Sequence, residues 1–191
     1  MSLLPDWRIR RDVKIVPFSE EGKRKGIISY GVSSYGYDVR VGYKFKIFTP
    51  TNCAVVDPKN FDPKSFVDVD ITPKEGENVP DHILIPPNSF CLSETLEWFE
   101  MPKNVIGLVT CKSTLARCGI VVPSCVLEPM WSGKLTLEIS NCSSLPAKIY
   151  AANGLCQILF FESDEQCEKD YVQKQGRYNQ QEGLTLPFVE K

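Results

Sequence analysis

Short runs of alternating apolar and polar residues, separated by proline, glycine and asparagine, recur along this 191-residue sequence. The clearest run covers residues 35–41, where tyrosine and valine occupy every second position. Alternation with a period of two predicts a half-buried β-strand, and the residues between the runs predict turns. We therefore expect most of the chain to form β-strands.

Further runs support the same interpretation and favour an all-β fold. They cover residues 90–99, 105–110, 120–127, 135–140, 147–151 and 155–161. Asn153-Gly154 lies between the last two runs and predicts a two-residue hairpin that joins them. Near the N-terminus, residues 5–13 predict one or two turns of helix. We predict a mainly β fold with short helices, arranged as a sandwich or a distorted barrel.

Composition narrows the classes of function. With 42% hydrophobic residues the chain can bury one sizeable core, and its length predicts a single domain over residues 1–191. A formal net charge of −2 gives no general attraction to nucleic acid or anionic membranes, so a phosphate site needs a local cluster. The N-terminal segment predicts neither a signal peptide nor a membrane span. We expect a cytoplasmic protein with no nucleic-acid or membrane partner.

The cysteines and the single histidine argue against zinc chemistry. The eight cysteines, at positions 53, 91, 111, 118, 125, 142, 156 and 167, form no Cys-x-x-Cys pair. Several lie in apolar runs, which favours buried thiols of a cytosolic protein over disulfides. His82 follows Pro80-Asp81 and predicts a solvent-facing loop residue. Zinc nucleobase deaminases need a His or Cys ligand beside a catalytic Glu and then a close Cys pair, so we predict no metal ligands from protein side chains.

One segment has the features of an anion site. The run Cys-Lys-Ser-Thr-Leu-Ala-Arg-Cys-Gly predicts a short helix, with Ser113 or Thr114 as its N-cap and Gly119 as its left-handed C-terminal residue. Lys112 and Arg117 then lie beside the free amide groups at the helix start, as a phosphate requires. An ordinary surface turn with solvated charges is the alternative interpretation.

A second segment presents an isolated carboxylate. Apolar residues at positions 135, 137 and 139 alternate with polar residues at positions 136, 138 and 140, after a Ser-Gly turn. Glu138 then lies on the polar face of a strand between two small hydroxyl residues, which leaves room for a ligand. The alternative is an exposed strand glutamate that faces water.

Four sequence motifs occur in a fixed order along the chain. They are Ile-Ser-Tyr-Gly-Val-Ser-Ser-Tyr-Gly-Tyr-Asp-Val-Arg from position 28, Lys-Ser-Thr-Leu-Ala-Arg from position 112, Trp-Ser-Gly through Leu-Glu at positions 131–138, and Gly-Arg-Tyr-Asn-Gln-Gln from position 176. Together they resemble the dCTP deaminase family across nearly the whole chain. The resemblance implies the β fold of trimeric dUTPase-like proteins, a homotrimer with active sites at subunit interfaces, and zinc-free hydrolytic deamination of dCTP to dUTP and ammonia.

The resemblance also implies roles for individual residues. Glu138 would be the general base, Ser113 would help to hold the attacking water, and Arg117 would stabilise charge near Glu138. The implied catalytic and substrate-binding residues are Lys112, Ser113, Thr114, Leu115, Ala116, Arg117, Glu128, Trp131, Thr136, Leu137, Glu138, Gln157, Tyr171, Arg177 and Gln181. Within this set, Trp131 matches an aromatic residue that packs on deoxyribose in dUTPases.

The C-terminal segment, residues 170–191, is polar and carries few core residues. A mobile lid and a frayed terminus both fit this composition. The resemblance implies a lid, because Gln157, Tyr171, Arg177 and Gln181 match positions that contact sugar or phosphates when the tail closes.

The triphosphate of such a substrate would bring Mg²⁺ as its counter-ion, held by phosphate oxygens and water, and inhibition by dTTP stays open. The product stays open, because the sequence departs from the family pattern at Cys111, at Lys112 and in residues 123–127. Glu128 also falls where dUTPases use an aspartate to activate water. A bifunctional enzyme that forms dUMP, a dUTPase-like pyrophosphatase and a non-catalytic nucleotide-binding module are therefore the alternatives to a dUTP-forming deaminase.

Overall fold

Strands make up most of the secondary structure in the computed structural model, which describes residues 1–20, 22, 25–52, 54–76, 79 and 81–187. The strands are β1 (Ser2–Leu3), β2 (Lys14–Val16), β3 (Gly31–Ser33), β4 (Gly36–Phe48), β5 (Phe66–Asp70), β6 (His82–Ile85), β7 (Ser89–Glu100), β8 (Val105–Cys111), β9 (Ile120–Val121), β10 (Val126–Leu127), β11 (Ser132–Asn141), β12 (Ala147–Tyr150) and β13 (Gly154–Glu162). The helices are α1 (Asp6–Asp12) and α2 (Ser113–Ala116), with 3₁₀ turns at Pro50–Asn52 and Pro63–Ser65. The predicted all-β class with short helices is confirmed.

One curled sheet contains most of these strands, and its main path runs β10, β8, β13, β4, β7, β11 and β9. The long strand β4 divides this path into two halves, with β10, β8 and β13 on one side of it and β7, β11 and β9 on the other. Its first part pairs with β13 and its second part with β7 and β5. The pairing of β4 with β7 shifts register between Val41 and Phe45, which marks the passage from one half to the other.

The core consists of alternating side chains from both halves of the sheet. Tyr37 of β4 and Phe99 of β7 are fully buried and meet edge to face, with ring centroids 6.4 Å apart. Ile139 of β11 and Phe160 of β13 are equally inaccessible to solvent. Burial of each such side chain contributes about 1.5–3 kcal/mol, so this shared core holds the two halves together.

The predicted strand over residues 120–127 is wrong, because the structure divides it into β9 and β10. β9 pairs with β11 in one half of the sheet, and β10 pairs with β8 in the other half. Pro123 lies between them and has no N–H group to donate to a strand ladder. The chain therefore crosses between the two halves at this point.

The predicted hairpin at Asn153-Gly154 is also wrong. β12 pairs with β6 in a separate two-stranded sheet, whereas β13 pairs with β4 and β8. The side-chain oxygen of Asn153 accepts a hydrogen bond from the Ile28 N–H at 2.9 Å, and the Gly154 N–H donates to the Ile28 carbonyl at 3.0 Å. The dipeptide thus turns the chain against the segment before β3, and the flanking strands diverge.

Other local predictions have mixed outcomes. The N-terminal helix is confirmed as α1, and Gly119 has the expected left-handed backbone, with φ of +73°. His82 is not a loop residue, because it begins β6, is half-buried and contacts the carboxylate of Asp81 at 2.7 Å. No helix of the described chain is long and apolar enough to cross a membrane.

The cysteines that the structure describes are free thiols, but they are not uniformly buried. Cys91 and Cys156 are buried, whereas Cys118, Cys142 and Cys167 are exposed. The prediction of buried thiols therefore holds for part of the set, and position 53 lies outside the described residues.

We expect Gly154→Ala to destabilise the protein, because a Cβ at this position would overlap the main-chain carbonyl oxygen of Ser29. The expected loss in the free energy of unfolding is about 3 kcal/mol, at the upper end of the usual cost of overpacking. Urea denaturation at fixed protein concentration measures it. Gly76→Ala is the matched control: its Cβ meets nothing within 4 Å, so it should lose only the roughly 1 kcal/mol that its positive φ costs. Equal losses in the two variants would contradict the close approach.

Candidate active site

A pocket of about 320 Å³ lies beside the polar face of β11. Strands β7 and β11 form one wall through Leu92 and Glu138. The segment around β10 forms a second wall, which includes Cys125, and the C-terminal segment closes the third side with Tyr171 and Gln181. Three parts of the chain that are distant in sequence therefore converge on one carboxylate.

This pocket brings together part of the set of residues predicted to form the site. Those that line it are Glu128, Trp131, Thr136, Glu138, Tyr171 and Gln181. Leu137 does not line it, since it is buried in the core behind β11. Arg177 is exposed and lies outside the lining. The walls also include Leu92, Tyr178 and Thr185, which were not predicted because no local sequence pattern distinguishes them from other strand and tail residues.

The pocket walls change the acidity of Glu138. Although the residue as a whole is exposed, the surrounding walls partly desolvate its carboxylate, and this raises its pKa above the ordinary 4.5. A hydrogen bond from its own main-chain amide lowers the pKa by a smaller amount. Within the described chain, no ion pair holds the carboxylate. An acid of this kind can accept a proton and return it, which is the property that general acid–base catalysis needs.

The thiol of Cys125 lies near Glu138 but lacks the acidity of a nucleophilic cysteine. Burial, and to a smaller extent the charge of Glu138, raise the pKa of Cys125 to about 11. The thiol is therefore protonated at neutral pH, whereas a reactive cysteine is a thiolate. Cys125 forms part of the wall rather than of the chemistry.

The basic residues predicted to form the site do not line this pocket. Lys112 forms an ion pair with Asp38 and donates a hydrogen bond from Nζ to the Ser29 hydroxyl at 3.3 Å. The other oxygen of Asp38 accepts a hydrogen bond from Gln157 Nε2 at 3.1 Å, and Gln157 also donates to Ser33 Oγ at 3.2 Å. Asp38 therefore positions both Lys112 and Gln157, a role that its place in an alternating strand did not reveal.

Helix α2 is one turn long and differs from the prediction at its start. Its N-cap is Lys112, so Ser113 and Thr114 lie inside the helix and the prediction of either as N-cap is wrong. The helix buries Leu115 but leaves Ser113, Thr114 and Ala116 exposed. Arg117 follows the helix and is exposed; its main-chain N–H donates to the Ser113 carbonyl at 3.1 Å, but its guanidinium has neither a hydrogen bond nor an ion pair with any residue that the structure describes.

The charges of the pocket do not suit a triphosphate by themselves. Among the described residues that line it, Glu128 and Glu138 are acidic and none is a lysine or an arginine. Phosphate groups are held by cations and amide groups. No group of three or more His, Cys, Asp or Glu side chains within the described part of the chain is placed to hold a metal ion. The described chain therefore holds an acid pocket and, separately, a set of basic residues.

The C-terminal segment closes the pocket through contacts to the start of β11. Trp131 Nε1 donates a hydrogen bond to the Tyr178 carbonyl at 2.5 Å, and the Gln180 N–H donates to the Ser132 carbonyl at 2.7 Å. The indole of Trp131 is 5% exposed. These bonds orient the aromatic ring as one wall of the pocket.

Comparison with known proteins identifies the family of this chain. Residues 6–163 match the model of the family described as dCTP deaminase-like. The chain belongs to the dCTP deaminase-like family.

Relatives within this family are similar over their full length. The chain is 51% identical over 190 residues to the dCTP deaminase of Acidobacterium capsulatum, covering 98% of this chain and 99% of that protein. It is 53% identical over 195 aligned positions to the dCTP deaminase of Campylobacter curvus, covering both chains completely. The crystal structure of 2′-deoxycytidine 5′-triphosphate deaminase from Agrobacterium tumefaciens shares the fold, with a TM-score of 0.58 at 18% identity over 84% of this chain and 47% of that one.

The raised pKa of Glu138 predicts a stability difference that depends on pH. Because the folded carboxyl prefers its neutral form, its contribution to stability is present below pH 4.5 and is lost as pH rises through the folded pKa. Glu138→Gln stays neutral throughout. We therefore expect the variant to match the wild type in urea denaturation at pH 4 and to be the more stable of the two at pH 7. An equal difference at both pH values would contradict the raised pKa.

Proposed function

We propose that the protein deaminates dCTP hydrolytically to dUTP and ammonia, with Glu138 as the residue that transfers protons. The observation that carries this proposal is the Glu138 carboxyl, whose pKa is raised and which lies at one wall of a pocket. The chain is also 51% and 53% identical, over nearly its whole length, to two dCTP deaminases. The reaction would supply dUTP for pyrimidine deoxynucleotide synthesis.

The reaction requires two proton transfers that one carboxylate can perform. Glu138 takes a proton from water and passes it to N3 of cytosine while the oxygen forms a bond to C4. It then takes the second proton from the new hydroxyl group and passes it to the amino group, which leaves as ammonia. A positioned general base supplies about 10²–10⁴-fold of the rate, and orientation of the water and charge stabilisation by Ser113 and Arg117 would supply more.

The pocket would hold the deoxynucleoside part of the substrate. Trp131 would pack on the deoxyribose, where a 2′-hydroxyl would meet the ring, and the main chain near Thr136 would read the base. The fixed orientation of the Trp131 indole supports this arrangement. A nucleotide with the same sugar and triphosphate, such as dTTP, could occupy the same site as an inhibitor.

We further propose that each active site is completed by a neighbouring subunit in a homotrimer. The support is the missing positive charge: the lining of the pocket has no lysine or arginine among the described residues, whereas Arg117 is exposed and unpaired within them. Lys112, Ser113, Thr114 and Arg117 of one subunit would bind Mg²⁺-dCTP held against Glu138 of the next. The metal would be held by phosphate oxygens and water.

A cytoplasmic location is part of the proposal. The described cysteines are free thiols, and several are exposed. Exposed free thiols are typical of a reducing compartment.

A second candidate function is supported by one acid on the pocket wall. Glu128 is exposed and lines the same pocket as Glu138. A carboxylate there could direct a second water towards the α-phosphate, which would convert the product to dUMP and pyrophosphate. Chromatography of the products formed from dCTP and Mg²⁺ distinguishes dUTP, dUMP with pyrophosphate, and no reaction.

We expect Glu138→Gln to lower kcat for deamination at least about 100-fold and to leave dCTP binding largely intact. Calorimetric binding and product chromatography measure the two properties. Glu182→Gln is the matched control, because Glu182 is an exposed acid outside the lining of this pocket and should retain deamination. A Glu138→Gln variant with more than about a tenth of the wild-type kcat would exclude Glu138 as the general base.

Shared active sites predict complementation between inactive subunits. We expect Glu138→Gln and Arg117→Ala proteins to be inactive alone, and an exchanged equal mixture to recover activity at roughly a quarter of the interfaces. Differently tagged subunits verify the exchange. Mixtures of either variant with the double variant should stay inactive. Failure of the first mixture after verified exchange would show that Glu138 and Arg117 do not act across an interface.

A further inference from the structure

Glu94 is a buried acid that the catalytic proposal does not use. It lies on β7, is 7% exposed and pairs across the sheet with Thr136 of β11. A carboxylate buried to this extent is costly unless charged or hydrogen-bonded groups satisfy it. The groups that contact the Glu94 carboxylate therefore show what this buried acid does in the fold.

The partners of Glu94 connect it to the C-terminal segment. Oε2 accepts a hydrogen bond from the Leu184 N–H at 3.0 Å, and Oε1 accepts one from Lys134 Nζ at 3.3 Å. The main-chain amide of Lys134 in turn donates to the Gln181 carbonyl at 2.8 Å. Gly183 approaches so closely that a Cβ there would lie 2.6 Å from Oε2. The carboxylate thus contacts the tail directly, and its counter-ion contacts the tail through its own backbone.

β11 provides a matching surface for the same part of the tail. Gln181 forms a parallel bridge with Gly133, whose φ is +142° and where a Cβ would lie 2.7 Å from the Gln181 nitrogen. Thr136 Oγ1 donates to Gln181 Oε1 at 3.0 Å and accepts from the Thr185 N–H at 3.1 Å. Gly133 is therefore not part of a turn before the strand, as the sequence predicted, but a docking point inside β11.

We propose that Glu94 is a positioning residue that holds the C-terminal segment closed over the Glu138 pocket. Gln181 and Thr185, on either side of the Leu184 contact, both line that pocket together with Glu138. When Glu94 releases Leu184, these two residues leave the wall and the Glu138 carboxyl loses part of the enclosure that desolvates it. The kinetic consequence rests on the proposed deamination, whereas the docking itself does not.

Hydrogen exchange in the free protein tests the docking. In Glu94→Ala we expect the amides of Leu184 and Thr185 to exchange about tenfold faster or more, because a charge-assisted hydrogen bond is lost. Glu94→Gln keeps a neutral acceptor, so its exchange rate should lie between those of Glu94→Ala and the wild type. Glu182→Gln is the matched control, since Glu182 is an exposed acid of the tail, and it should leave the rates unchanged. Unchanged exchange at Leu184 in Glu94→Ala would overturn the proposal.

Removal of the end of the tail tests whether Glu94 acts by positioning the tail or only by stabilising the sheet. In the full chain we expect Glu94→Ala to raise KM for dCTP and to lower kcat, because the tail both contributes wall residues and excludes water. In a chain that ends after Glu182, the same substitution should have little further effect, since the Leu184 amide is absent. An equal loss of kcat/KM in both backgrounds would show that Glu94 acts through the sheet and not through the tail. Glu94→Gln, with its neutral acceptor, repeats the comparison if the alanine variant folds poorly.

The two readouts distinguish failure of this inference from failure of the proposed function. Faster exchange at Leu184 in a protein that does not convert dCTP would support the docking role and refute the deamination. Normal conversion of dCTP with unchanged exchange at Leu184 would support the deamination and refute the role of Glu94.

Discussion

The buried ion pair between Arg40 and Glu97 lies where the sheet passes from one half to the other. Arg40 Nε donates to Glu97 Oε1 at 2.7 Å, and the main-chain N–H of Arg40 donates to Glu97 Oε2 at 3.1 Å. Glu97 is completely buried, so desolvation raises its pKa and the guanidinium of Arg40 partly offsets that effect. Removal of one partner of such a pair leaves a buried charge that costs about 3–5 kcal/mol. The junction of β4 and β7 therefore has one strongly preferred arrangement.

The position of Glu138 follows from that junction. β7 carries Glu97 and also forms the ladder with β11, in which Leu92 lies opposite Glu138. Because side chains alternate along a strand, Leu137 and Ile139 enter the core only when Glu138 faces outward. A slip of one residue would bury the carboxylate and expose two apolar side chains. The orientation of Glu138 is thus secured by hydrophobic burial of its neighbours rather than by hydrogen bonds from its carboxylate to other described residues.

Sequence patterns predicted the features that depend on neighbouring residues. Alternation identified β7, β8, β11 and β13 to within a few residues, and it placed Glu138 on an outward face. The missed features depend on distant partners. Lys112 meets Asp38 across 74 positions and Leu184 meets Glu94 across 90, so neither pairing leaves a local pattern. The Asn153-Gly154 turn failed as a hairpin for the same reason, since β6 and β8 compete for the strands on either side of it.

The separation of acid and cations within the chain would have an electrostatic consequence in the proposed trimer. An arginine near a carboxylate lowers its pKa, and a desolvated or anionic environment raises it. If Arg117 of a neighbouring subunit approaches Glu138, it favours the ionised form that first removes a proton from water. The triphosphate of bound dCTP is present throughout both proton transfers and attracts the same guanidinium, which weakens this effect. The distance between Arg117 and Glu138 in an assembled site would therefore set the acidity of the one carboxyl that performs both transfers.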